Sequence, residues 1–257
     1  MTGFLDRYRN GEHAQVWADL QALETRVLVP PFADEARAVA RETMTRANHN
    51  LGLILPRLRA MGYRFARPDD AWRPPDWNSP GRIDATERRC GPLPLSIRAW
   101  YEIVGSVDLC GAHPNLSMYR GLDWAGSDRF YDLHWCSDPL VMFPLDPNDG
   151  LDDTWFGDDG VERPAPPFKL SLAPDAIHKA RISGGTAMAI TLPNAAMDAP
   201  LLGSDWEGTT FVSYLRTCFA WGGFPGLGVA FPWSWTAPDP SGSATELGVL
   251  RQGLLPL

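Results

Sequence analysis

The chain predicts an α+β fold: a mostly antiparallel sheet packed with helices, extended by an N-terminal helical lobe. Three observations lead there. Apolar residues recur at helical spacing through the first 62 positions, short apolar runs broken by proline and glycine follow residue 105, and a capped helical pattern returns near residue 210. Connections that are short and rich in turn residues suit antiparallel pairing, because parallel crossovers need a dozen or more residues, usually helical.

The elements follow in order. Glu12 to Leu23 places Val16, Trp17, Leu20 and Leu23 on one helical stripe. Asp34 to Met61 continues with Val39, Thr43, Ala47, Leu51, Ile54, Leu55, Leu58 and Met61, and Gly62 stops it. Gly52 and Pro56 interrupt this pattern, so two helices or one kinked helix are expected there. Arg67 to Gly81, with prolines at 68, 74, 75 and 80, reads as an extended crossing segment that Trp72 and Trp77 pin to the surface. The domain plan is therefore a helical lobe over 1–66, a Pro/Trp-rich connector over 67–82 and an α+β domain over 83–257.

Leu93 to Gly105 is the most informative stretch. Pro94 suits a first helical turn and Gly105 a left-handed exit, with Ile97, Trp100, Tyr101 and Val104 on one apolar stripe and Arg98 and Glu102 paired on the wet side. Trp100 and Tyr101 are expected in the core. Strands are expected at Ser106 to Cys110, Asp138 to Leu145, Phe168 to Leu172 and Thr186 to Leu192. A helix capped by Thr209 or Thr210 carries Phe211, Tyr214, Leu215, Cys218 and Phe219 and leaves through Gly222 and Gly223, and Leu247 to Leu255 adds a last amphipathic turn or two.

The Leu-Pro opening, the Trp100–Tyr101 pair and the closing Gly105 resemble the signature segment of the SUKH superfamily, which includes bacterial toxin-immunity proteins and a fungal cell-wall assembly regulator. The likeness is best over Ile83 to Gly105 and extends to Asp138–Leu145 and Thr210–Gly222, but not to the first 62 residues. It implies a SUKH-like α+β domain that binds another protein, in bacteria a toxin to be neutralised.

Composition narrows the function classes. With 44% hydrophobic residues, 11 Trp and 11 Phe, the 257-residue chain has ample material for a core. A net charge of −8 disfavours direct nucleic-acid binding, which needs clustered Lys and Arg, and favours a basic partner; the SUKH resemblance implies that such a partner is a toxin, for instance a basic nuclease. The segment Met1 to Gly11 has neither the apolar core of a signal peptide nor a spanning helix, which suggests a cytoplasmic protein with no membrane partner. Cys90, Cys110, Cys136 and Cys218 lie far apart without CxxC spacing and read as reduced core residues.

Candidate chemistry is sparse. Asp132, His134 and Cys136 would share one strand face, yet ligands two apart diverge from a tetrahedral centre. Asp175, His178 and Ser183 are close in sequence, but no Gly-x-Ser-x-Gly elbow surrounds Ser183. The glycines at 222, 223, 226 and 228 follow a helix and lack a P-loop lysine. His13, His49 and His113 stand alone. Asp146 to Glu162 gathers seven carboxylates, but its glycine falls one position early for an EF-hand. An exposed acidic hairpin or loop fits better, and Trp155 and Phe156 at its centre resemble interface anchors.

The sequence therefore predicts a non-enzymatic protein-binding module with no cofactor or metal. Its partner-facing residues are Asp152, Asp153, Trp155, Phe156, Asp158 and Asp159. The alternatives are an enzyme such as a hydrolase working through His178 or the Asp132–Cys136 face, and a housekeeping assembly or regulatory partner.

Overall fold

Helices come first, and the structure, a computed structural model, describes residues 3–113, 116, 138–146, 154–156, 162–164, 167–179, 185–203, 206–228 and 244–257. Helices α1 (Phe4–Arg9) and α2 (His13–Gln21) precede the long α3 (Ala33–Ala60). The polar, mixed-charge start of the chain thus contains a helix, because Tyr8 alone supplies a fully buried anchor. Val16, Trp17 and Leu20 of α2 are buried, as their spacing requires.

Helix α3 corrects one expectation: Gly52 and Pro56 do not break it. Pro56 removes the hydrogen bond to the carbonyl four residues earlier, which belongs to Gly52. Both residues are on the exposed side, where water can take that carbonyl, and Gly52 offers no side chain to crowd the ring. The opposite face buries Val39, Met44, Ala47, Leu51, Ile54 and Leu58, whose packing outweighs the single lost bond.

The connector is more structured than its prolines suggest. It follows β1 (Arg64–Phe65) and contains a 3₁₀ turn at Pro68–Asp70, β2 (Trp72–Arg73) and the start of α4 (Ser79–Cys90). Pro80 sits in the first turn of α4, where its missing N–H costs nothing, so position 82 falls inside a helix. Trp72 is pinned as expected, its indole N–H donating to the Val104 carbonyl at 2.9 Å. Trp77 is not pinned; it is 91% exposed.

Helix α5 (Leu95–Ile103) is the signature segment. Pro94 stands just before the helix with extended ψ of 144°, not inside its first turn. The N–H groups that a cap would serve are taken across the fold, Leu95 by the Ala196 carbonyl at 3.1 Å and Ser96 by that of Met197 at 3.0 Å. Trp100 and Tyr101 are buried as predicted, and the Trp100 indole meets Phe211 edge-on at 5.7 Å. Gly105 takes φ +87°, and a Cβ there would lie 2.2 Å from the Arg73 carbonyl, so only glycine lets the β2 segment pass over the helix exit.

The strands follow as β3 (Ser106–Asp108), β4 (Gly111–Ala112), β5 (Val141–Met142), β6 (Thr154–Phe156), β7 (Glu162–Pro164), β8 (Phe168–Ala173) and β9 (Met188–Leu192). All their ladders are antiparallel: β1 with β4, β2 with β3, β3 with β5, β6 with β7, and β8 with β9. A bond of 2.7 Å from the Phe143 N–H to the Leu172 carbonyl ties the β5 end to β8. The fold is α+β, and the four strand runs expected from sequence all contain strand.

Helix α6 (Ala176–Lys179) is one turn; α7 (Phe211–Ala220) and α8 (Ala244–Arg251) complete the helices among the described residues. Thr210 caps α7 by accepting from the Ser213 N–H, and Gly222 and Gly223 leave it at φ +61° and +96°. Asp198, buried, joins the starts of α5 and α7 by accepting from the Ser96 hydroxyl at 2.7 Å and the Val212 N–H at 3.1 Å. Burial raises its pKa despite these donors. Buried apolar residues from Tyr8 to Leu257 form one contiguous cluster.

Candidate functional site

The predicted partner-facing segment folds locally as a β-ladder. Thr154 pairs with Pro164, Trp155 with Arg163 and Phe156 with Glu162. Asp152, Asp153, Asp158 and Asp159 lie outside the described residues. The ladder is a two-stranded sheet of its own, with no third strand among the described residues. Such a ribbon is marginal in water and is stabilised when another surface covers it.

The sequence's other candidates divide. Asp132, His134 and Cys136 lie outside the described residues, as does Ser183. Asp175 and His178 do meet: the buried Asp175 carboxylate takes the His178 Nδ1 in a short contact, and its other oxygen accepts the Ile177 and His178 N–H groups at 2.9 and 3.1 Å. Burial pushes the Asp175 pKa up, but the His178 ring and these N–H donors outweigh it and hold the carboxyl below its usual range. The His178 side chain is half exposed. The geometry orients an imidazole, as a buried carboxylate does in hydrolase dyads, and it also caps the one-turn helix α6. Among the described residues no group of three or more His, Cys, Asp or Glu could hold a metal.

A site that sequence reading missed is the buried Asp138–Lys179–Trp206 cluster. The Lys179 Nζ lies 2.5 Å from one Asp138 oxygen, and the Trp206 indole N–H donates to the other at 2.8 Å. Burial pulls the Lys179 pKa down, but the adjacent Asp138 carboxylate raises it by more. Asp138 adopts φ +46°, held there by both partners. Its components are 41 and 68 residues apart, and no local pattern could have joined them.

The surface offers an open cleft of about 490 Å³ between α3 and α5, lined by Arg37, Arg41, Arg98, Glu87 and Glu102 among others. Its charges are paired: Arg41 with Glu102 at 2.6 Å, Arg98 with Glu102 at 2.9 Å and with Glu87, and Arg37 with Asp34 outside the cleft at 3.3 Å. It is a salt-bridge network across the helix contact. The isolated His13 is also occupied, as its Nε2 faces the Arg46 Nη1 at 2.6 Å. Cys90, Cys110 and Cys218 are buried.

No family model, curated protein or solved structure matches this chain. Among the described residues no helix is long and apolar enough to cross a membrane.

Proposed function

We propose that the chain is a protein-binding module of the immunity type, SUKH-like in character, that works in the cytoplasm by covering the basic surface of a toxin such as a nuclease. The observation that carries this reading is the β6–β7 ladder. It places Trp155 and Phe156 on one strand, within a stretch of sequence that carries seven carboxylates on a chain of net charge −8. Aromatic residues ringed by acids suit a basic protein partner: buried anchors govern dissociation, while rim charges steer association.

Binding kinetics test the reading, with the product of the adjacent reading frame as the partner on immobilised protein. Trp155→Ala should raise the off-rate, and joint replacement of Asp152, Asp153, Asp158 and Asp159 by Asn should slow association and flatten its salt dependence. Unchanged rates in both folded variants would overturn the assignment. The oriented Asp175–His178 pair supports a second reading, a hydrolase. Turnover of an activated ester that disappears in His178→Ala and survives in the hairpin variants would favour it over binding.

A further inference from the structure

Residues 254–257, which follow the turn after α8, form neither helix nor strand, and side chains of α3 and α7 hold them by their main chain. The Asn50 amide donates to the Leu255 carbonyl at 2.8 Å and accepts from the Leu255 N–H at 2.7 Å. The Arg46 Nη1 donates to the Pro256 carbonyl at 3.2 Å, and the Arg216 Nε to that of Leu257 at 2.8 Å. Leu257 is buried. Before the turn, the Arg57 Nη1 donates to the carbonyls of Leu250 and Gln252 at 3.2 and 2.7 Å. The segment is thus a strap across two helices, fastened by side-chain clamps.

Both arginines that hold residues 256 and 257 also hold His13, the first residue of α2. The Arg46 Nη1 faces the His13 Nε2 at 2.6 Å, and the Arg216 Nη2 donates to the His13 carbonyl at 3.2 Å. A guanidinium has only donors, so Nε2 is the acceptor and the imidazole is neutral. The two hydrogens of the Arg46 Nη1 are thereby spent, one on His13 and one on Pro256, while its Nε donates to Glu42 at 3.0 Å. The groups that face the imidazole are Tyr8 from α1, edge-on at 4.7 Å, Arg46 and Glu42 from α3, and Arg216 from α7. Glu42 is shared with Arg9 at 3.6 Å, and the N-terminal end of α2 adds positive charge of its own. Burial and the two guanidiniums outweigh Glu42 and lower the His13 pKa.

We infer that His13 is a proton-operated latch on this strap: an imidazolium at position 13 opposes Arg46 and releases residues 254–257 from α3 and α7. Protonation replaces the Nε2 acceptor by a donor aimed at another donor, and it sets two cations against each other across 2.6 Å. One of them must leave. When Arg46 turns away, Pro256 loses its donor, and when the start of α2 moves, Arg216 loses the carbonyl that fixes its fork beside Leu257. Arg57 lies about three helical turns further along α3, so α8 stays docked and the opening is confined to the strap. Opening frees the Asn50 amide and the Arg216 guanidinium, both of which bind main chain in the closed form. The device is independent of the β6–β7 ladder and of the basic-partner reading.

Amide exchange of the full chain, read at Leu255 by nuclear magnetic resonance, tests it. The open strap takes up the His13 proton first, so the Leu255 protection factor should fall several-fold as the pH drops from 7 to 5. His13→Gln, which cannot titrate, should give a flat profile. Arg46→Met should lose protection already at pH 7, since it leaves Pro256 without its donor. Low urea separates strap opening from unfolding: exchange at Leu255 should be insensitive to it, while exchange at the buried Leu51 of α3 should accelerate. A flat wild-type profile, a His13→Gln profile parallel to wild type, unchanged protection in Arg46→Met, or equal urea sensitivity at Leu255 and Leu51 would overturn the inference. The wild-type profile and its urea dependence need no variant, so they decide the matter even where a substitution unfolds the chain.

Discussion

Replacing Trp100 by alanine tests how α5 is held. The side chain is fully buried, packs edge-on against Phe211 and donates its indole N–H to the Gly105 carbonyl at 2.7 Å. Truncating a large buried aromatic costs about 3–5 kcal/mol in lost transfer energy and residual cavity. The Gly105 carbonyl then loses its donor beneath the β2 segment, adding about 1 kcal/mol or more. A loss of about 4–6 kcal/mol is comparable with the whole stability of many domains. Trp100→Phe separates the two contributions, since it keeps most of the ring and deletes only the donor and part of the volume, for about 1–3 kcal/mol. Urea unfolding followed by far-ultraviolet circular dichroism measures both, with the slope required to stay constant. The reasoning fails if Trp100→Ala unfolds at the wild-type midpoint, or if Trp100→Phe is as costly as Trp100→Ala.

Lys179→Met should leave the buried Asp138 carboxylate without its cation and cost about 3–5 kcal/mol by urea unfolding, whereas an exposed pair such as Arg37–Asp34 should contribute little when broken. Asn50→Ala should cost about 1–3 kcal/mol and speed amide exchange at Leu255, because the buried Asn50 amide donates to the Leu255 carbonyl at 2.8 Å and accepts from its N–H at 2.7 Å. His13 has its pKa lowered, first by burial and then by the charges of Arg46 and Arg216. The unfolded chain therefore takes up this proton first on acidification, so His13 contributes stability present above pH 6.5 and lost as the pH falls through the folded value. His13→Gln should flatten the fall of the thermal midpoint between pH 7 and pH 5 relative to wild type, and parallel curves would refute this.

Much of the fold was legible in the sequence because its signals are local. The stripes of α2, α5 and α7 needed only 3.6-residue spacing, Thr210 only a donor three residues on, and Gly105 only an exit that other side chains resist. The antiparallel character followed from short connections rich in turn residues. Local signals misled where burial elsewhere compensated: Pro56 reads as a break, but the apolar face of α3 carries the helix through it. Pro94 reads as a first-turn residue, but the free N–H groups of α5 are met by residues 196 and 197, a hundred positions away. The candidate hairpin was legible as an acidic segment around two aromatics, and its strand register came from cross-strand pairing that composition does not encode.

By itself the sequence determined the fold class, the buried faces of the principal helices and the acidic character of the chain, since each depends on spacing or on summed charge. Tertiary structure alone decided that Trp72 is pinned while Trp77, five residues on, stands in water. It alone joined Asp138 to Lys179 and Trp206, and Asn50 to Leu255. The physical reason is the same in each case. Whether a polar or aromatic group is buried, and which partner satisfies it, depends on surfaces brought together by the rest of the chain, and residues distant in sequence leave no periodic trace of that meeting.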